Sequence, residues 1–414
     1  MTAGHLLRQN AVLFSGGAMA GLGGFIYNLV AARVLGPSAY GEVASLLAVY
    51  GALNAVNLVV GVVMARQAAI LAGSERRGAV LGLLARASRR LAVRSLAPLL
   101  VLAILTPAAV WFLHLHSWVP FALMLVATAL IWQSGVPRGI LQGLQRFGWM
   151  SASQALEMTV RTGTLVAAFW ARLGVAGAVG AVAAGAAVAY AVAVFPLRRL
   201  PRVGEIEHAG AGRRFVMIAA VGVGGVLLLY NIDVVLAKHY LDARNAGIYG
   251  GLNKIETIIF FGTVSVSQVL YPRVLQAVTE KRRPARLLLL SAAIMALAGG
   301  CAIAVFTVAP KLVIGILYGS RFLPAAPYMT AVGFIGLALA LDNLLVAFLM
   351  AVHDQVLVPL LIAGIALETL LIVSWHASVG QVVGDVVVAL ASLCAALTVR
   401  CLLLMLPARI STEP

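Results

Sequence analysis

Apolar residues run along this chain in long blocks, most of them about 20 residues, broken by short stretches rich in Arg, Gly and Pro. At 1.5 Å per helical residue, a block of that length crosses the roughly 30 Å hydrocarbon core of a bilayer. Twelve blocks are read, at 11–34, 43–63, 95–114, 119–137, 152–171, 174–196, 215–236, 248–270, 287–308, 326–350, 356–376 and 382–406. The pattern predicts an all-α polytopic membrane protein of twelve transmembrane helices. Between Arg66 and Arg94, basic residues interrupt short apolar runs. That stretch reads either as an amphipathic interfacial helix or as a solvated cytoplasmic one. The first block is too long for a signal-peptide core and reads as the first span.

The basic residues test the count. With the N-terminus placed in the cytoplasm and sides alternating, 22 of the 30 Lys and Arg fall in cytoplasmic segments. Six fall outside (Arg33, Arg172, Lys238, Arg244, Lys311 and Arg321), and Arg161 and Lys254 lie within spans. A miscounted span would blur this bias, so the expected topology has both termini inside. A bacterial cytoplasmic membrane is the expected location.

Composition agrees. The chain of 414 residues is 62% hydrophobic and only 11% charged, with a mean hydropathy of +1.01. A soluble domain carries about 25% charge. The net charge of +16 would suggest nucleic acid in a soluble protein. Here it is explained by orientation, and no nucleic-acid partner is expected. Cys301, Cys394 and Cys401 all sit in apolar blocks without ligand spacing, so neither a metal site nor a disulfide framework is indicated.

The two halves of the chain echo each other. Asn28–Gly41 (NLVAARVLGPSAYG) and Asp233–Gly247 (DVVLAKHYLDARNAG) each show a helix end, a basic residue, a short turn and a glycine before the next helix. Arg66 and Arg273 continue the match, and the offset stays near 205–207 residues. Two pseudo-symmetric six-helix lobes are expected, at 1–196 and 215–414. They are joined by a basic linker at 197–214 that serves as a hinge, with a ligand cavity between them.

Charged side chains within spans are costly, roughly 2.5–3.5 kcal/mol each at mid-bilayer, and therefore need a partner or a wet cavity. Glu157 and Arg161 lie four apart on the fifth helix and share a face. They read as a mutually neutralising pair, or Arg161 reads as an anion contact, since its guanidinium offers phosphate a planar fork of donors. Asp233 and Lys254 form a second expected pair, structural or involved in transport. Glu256 points away from Lys254 and needs another partner or a proton. Asp342 and Glu368 have no basic neighbour in sequence. Apolar surroundings favour a neutral carboxyl, so Glu256, Asp342 and Glu368 are candidates for coupling to protons or sodium. Arg33 and Lys238, equivalent in the repeat, read as snorkelling side chains at the outer interface or as a symmetric basic rim. Asn54 and Asn57 suggest interhelical hydrogen bonds. His114, His116 and Trp118 suit an interfacial belt better than a metal site.

Several of these segments resemble a known family. ARVLGPSAYGEVASL (Ala32–Leu46), PRGILQGLQRF (Pro137–Phe147), NIDVVLAKHYLDARNAGIYGGLNKI (Asn231–Ile255), VLYPRV (Val269–Val274) and ILYGSRFLPAAPYM (Ile316–Met329) resemble, in order, segments of Wzx-type polysaccharide-repeat-unit flippases. These are members of the multidrug/oligosaccharidyl-lipid/polysaccharide exporter superfamily. The resemblance implies two six-helix bundles in a V. It also implies transfer of an undecaprenyl-pyrophosphate-linked oligosaccharide to the outer leaflet by alternating access, for polysaccharide biosynthesis. It carries no catalytic constellation.

No P-loop and no Ser/His/Asp arrangement is present, and GGAMAGLGG (Gly16–Gly24) lies within a span where small residues let helices approach. No cofactor is expected, and an ion gradient or the substrate's own gradient would drive transport. The expected partners are a lipid-linked oligosaccharide, membrane lipid, a proton or sodium gradient and a glycan-polymerase complex. A multidrug or cation exporter of the same superfamily is the competing reading. A glycan polymerase or ligase ranks last because every outer loop is short, and a non-transporting scaffold stays open.

Overall fold

The computed structural model describes residues 3–73, 80–198, 223–279, 285–352 and 354–405, and side chains at 19–72, 80–198, 223–260, 263, 274, 286–352 and 354–404. Among the described residues the regular structure is helical throughout. By contact clustering the chain falls into two units, Met1–Gly224 and Gly225–Pro414. Most of the expected linker lies outside the described residues.

Unit 1 holds α1 (Ala3–Leu53), α2 (Ala55–Gly73), α3 (Val80–Ile104), α4 (Thr106–Phe112), α5 (Val119–Gly143), α6 (Phe147–Trp170) and α7 (Gly174–Arg198). The apolar stretch Met19–Ala72 would be about 80 Å long as one straight helix, far more than one crossing. It breaks at Gly36, whose φ of 74° and ψ of 172° only glycine adopts without strain, and Pro37 then starts the next helix. This is the turn expected between the first two blocks. A second interruption falls at Asn54, where the buried Trp132 indole donates to the Leu53 carbonyl at 2.8 Å.

Unit 2 holds helical residues 225–229, then α8 (Ile232–Tyr240), α9 (Ala243–Thr279), α10 (Ala285–Val308), α11 (Pro310–Leu317), a 3-10 segment (Ser320–Tyr328), α12 (Met329–Ala351), α13 (Leu357–Ser374) and α14 (Val379–Met405). Seven described stretches are long and apolar enough to cross a membrane, or eight with the bent α3–α4 pair counted as one. The all-α polytopic class holds, and the order of the helices is consistent with twelve crossings. The mixed segment at 310–327 becomes α11 and the 3-10 turn.

One expectation is corrected. Residues 66–94 do not form a separate interfacial helix. They are the end of α2 and the start of α3, with 74–79 outside the described residues. Ala, Leu and Arg are all good helix formers, so a run of arginines ends the greasy block without ending the helix. Met64 and Ala68 of α2, Val80 and Leu84 of α3, Ile140 of α5 and Leu197 of α7 share a buried cluster at this end.

Packing rests on small residues. Gly135, Gly139 and Gly143, one turn apart on α5, face Asn57, Gly61 and Ala65 of α2. A Cβ on Gly135 would lie 2.7 Å from the Asn57 carbonyl oxygen. Where every neighbour is apolar, close backbone approach and van der Waals contact hold helices together. The outer surface is correspondingly greasy, with Leu, Val and Ile exposed along α3, α10 and α14 and with Trp111, Trp118, Trp170 and Trp375 exposed at helix ends. This is the surface of a lipid-solvated protein with an aromatic belt.

Candidate functional site

Unit 1 carries a buried charge cluster. Glu157 does not pair with Arg161, although the two share a face of α6. Its Oε2 accepts instead from Arg138 Nη2 on α5 at 2.6 Å. Arg138 Nε also donates to Ser153 at 3.0 Å, and Ser153 donates to the Ala189 carbonyl of α7 at 2.7 Å. Arg138, expected in a cytoplasmic segment, thus turns inward and neutralises the glutamate.

Arg161 is left with the cluster's surplus positive charge. It is 7% exposed, its guanidinium carbon lies 4.0 Å from the centre of the Tyr27 ring, and its Nε has no hydrogen-bond partner. The Tyr27 hydroxyl is anchored to the Ala178 carbonyl at 2.7 Å, which fixes the ring under the cation. On the other side, Gly185 lets α7 pass close, since a Cβ there would meet the Glu157 carbonyl at 2.8 Å and the Arg161 Cβ at 3.0 Å. The Tyr50 hydroxyl is buried without a partner, within electrostatic reach of all three charges. The arrangement is a fixed, desolvated guanidinium with donor capacity to spare.

Unit 2 carries the opposite polarity. Asp233 of α8 accepts from the Tyr249 hydroxyl at 2.6 Å and from the Asn253 amide at 3.2 Å, both on α9. The same amide donates to Glu256 at 2.7 Å, so one side chain bridges two carboxylates. Glu368 of α13 is within electrostatic reach of both, and neither of its oxygens has a hydrogen-bond partner. The free oxygens of Asp233 and Asn253 and the Tyr230 hydroxyl are likewise buried and unpartnered. Of the expected Asp233–Lys254 pair, Lys254 lies within electrostatic reach of Asp233, and its ammonium lies 5.7 Å from the Tyr230 ring centre. Asp342 of α12 lies elsewhere in the unit, buried beside the Cys394 thiol. Among the described residues, no group of three or more His, Cys, Asp or Glu could hold a metal ion.

Of the repeat-related cations, Arg33 is exposed, whereas Lys238 is 3% exposed. Lys238 therefore neither snorkels nor forms half of a symmetric rim. Asn57 donates to Asn54 on its own helix segment at 3.0 Å and not across helices. Sequence reasoning missed Arg138, and it missed the pairing of His116 with the buried Glu42. Glu42 and His116 are 74 residues apart, and no spacing rule joins them.

Known proteins share this architecture. The family model described as "Polysaccharide biosynthesis protein" matches residues 91–278. A multidrug-resistance MATE family transporter of the MOP superfamily, solved in an inward-facing conformation, superposes with a TM-score of 0.73 at 12% identity, over 92% of this chain and 94% of that one. A MATE crystal structure in complex with MaL6 gives 0.67 at 14%, over 98% and 99%. A MOP superfamily transporter from Pyrococcus furiosus Vc1 (DSM3638) gives 0.65 at 15%, over 96% and 95%, and is described by a reversed polarity of its binding pocket that suggests a different function. No curated protein sequence matches. At these identities the solved structures establish the fold. The family model agrees with the resemblance read from the sequence over residues 91–278, and the chain is a polytopic membrane protein with the fold of the multidrug/oligosaccharidyl-lipid/polysaccharide exporter transporters. The fold is the one these solved transporters share.

Proposed function

We propose that the protein is a flippase. It carries an undecaprenyl-pyrophosphate-linked oligosaccharide from the cytoplasmic to the outer leaflet of a bacterial inner membrane by alternating access, with both termini in the cytoplasm. The observation that carries this reading is Arg161, a buried guanidinium whose neighbouring carboxylate is already neutralised by Arg138. A desolvated cation that retains unused donors is matched to phosphate oxygens. The family match to a polysaccharide biosynthesis protein supports the same substrate class.

The carboxylates of unit 2 supply the coupling. Asp233, Glu256 and Glu368, all buried and with unpartnered oxygens on Asp233 and Glu368, are suited to bind and release a proton or sodium ion. A second reading rests on the same acids, because a cationic drug would also favour them. Drug-susceptibility profiling of a knockout separates the two.

The direct test is leaflet translocation of labelled lipid-linked glycan in proteoliposomes. Arg161→Ala is expected to reduce transport with expression unchanged, and normal turnover in that variant rejects the anion-contact role. Asp342→Asn, outside the acidic group, is expected to retain ion dependence that Glu368→Gln loses.

A further inference from the structure

The start of α3 carries Arg86, Arg89, Arg90 and Arg94, and the helix contains no acidic residue. All four arginines are exposed. With 3.6 residues per turn, Arg86, Arg90 and Arg94 fall within about a third of the helix circumference, and Arg89 lies at its edge. Val93, Leu100 and Ile104 fall on that same face, with Leu96 at its margin. They are among the most exposed aliphatic side chains of the unit, Leu96 at 65% and Ile104 at 68%. The buried residues of α3, Val80, Leu84 and Ser95, centre on the side opposite Val93, Leu100 and Ile104, with Arg94 between the two faces, and Val80 and Leu84 join the cluster with α2, α5 and α7.

Arg86, Arg89 and Arg90 therefore face what the leucines face, which is lipid, and the exposed Arg94 borders that face. They begin where the greasy surface stops and span about 12 Å along the axis, enough to traverse the headgroup layer. Basic side chains that merely marked orientation could point in any direction around the helix. These continue one lipid-contacting stripe from acyl-chain depth to phosphate depth.

We propose that this stripe is a docking surface for anionic phospholipid headgroups of the surrounding bilayer, held by Arg89, Arg90 and Arg94. Complementarity of charge and continuity with the apolar face fix the occupant. Arg86 contributes less, because its Nε already donates to the Gly82 carbonyl at 3.2 Å. The inference does not depend on the transported substrate.

The test uses the full chain in detergent. Native mass spectrometry compares retention of phosphatidylglycerol with that of phosphatidylcholine. A basic residue at an anionic surface is worth about fivefold in binding, so Arg89→Gln/Arg90→Gln/Arg94→Gln is expected to weaken phosphatidylglycerol retention at least about tenfold and to leave phosphatidylcholine unchanged. Arg244→Gln/Lys311→Gln/Arg321→Gln, which removes three exposed cations of unit 2, is the charge-matched control and is expected to have little effect. The inference is overturned if the wild type shows no preference for phosphatidylglycerol, if the triple variant retains it within twofold of wild type, or if the control loses as much. Should the triple variant not fold, single Arg90→Gln is read in its place, with a severalfold loss expected and an unchanged retention counting against the stripe.

Discussion

The two units build the same turn and then diverge. In unit 1 the Asn28 amide oxygen accepts from the Tyr40 hydroxyl at 3.1 Å. In unit 2 the Asp233 carboxylate accepts from the Tyr249 hydroxyl at 2.6 Å. A neutral latch in one unit is a charged one in the other. Behind the latch, unit 1 holds two arginines and a glutamate, whereas unit 2 holds three acids within reach of one another and one lysine. Helix packing through glycine and alanine is indifferent to the sign of the groups it encloses. One scaffold can therefore enclose a basic cluster and an acidic one, and the sequence chooses between them by a few side chains.

The sharpest way to break this comparison is to remove one partner from each cluster. Arg138→Ala leaves Glu157 buried without its guanidinium, which is expected to cost about 3–5 kcal/mol in thermal unfolding. Adding Glu157→Ala should restore most of that. Glu368→Gln replaces a buried carboxyl that has no hydrogen-bond partner, so it should cost nothing or stabilise. A Glu368→Gln loss equal to that of Arg138→Ala would show that Glu368 is held by an ionic contact, and the contrast in polarity would fail.

What could be read from the sequence follows from how far each signal reaches. Hydrophobic length and charge sidedness are properties of single segments, so the spans and the turn at Gly36 were legible. The buried charges were legible as isolated residues, because an ionisable group within a greasy block is conspicuous by itself. Their partners were not. Arg138 meets Glu157 across two helices and 19 positions, and Arg400 closes on Asp354 from 46 positions away at 2.6 Å. The local spacing that joined Glu157 to Arg161 was correct about the face and silent about the competitor. Equivalence in the repeat likewise predicted one environment for Arg33 and Lys238, but burial is set by neighbours that the repeat does not preserve.

The shared turn itself can be sharpened. Unit 1 makes it with Gly36 in a conformation essentially reserved for glycine. Gly36→Ala is expected to destabilise by about 1–3 kcal/mol, read as a lowered melting temperature in detergent. The aligned position in unit 2 is Asp242, so the same substitution to Ala there tests a cap and not a strained backbone.

Asp242 Oδ1 accepts from the backbone N–H of Arg244 at 2.9 Å and of Asn245 at 3.1 Å, which caps the start of α9 outside the spanning segment. Asp242→Ala should cost about 1 kcal/mol, the smallest of these effects. The N–H group of Asn245, more than any other contact, holds the Asp242 carboxyl below its usual range. Because the folded value is depressed, the cap's ionic contribution is complete above the unfolded value near 4. It fades as pH falls through the lower folded value. Asp242→Asn retains a capping oxygen without a titrating group. Wild type should therefore be more stable than Asp242→Asn at neutral pH by that ionic contribution, and its margin over both Asp242→Asn and Asp242→Ala should shrink only below about pH 4. A margin that is flat across that range would mean the turn of unit 2 is held by backbone geometry alone, as the turn of unit 1 is.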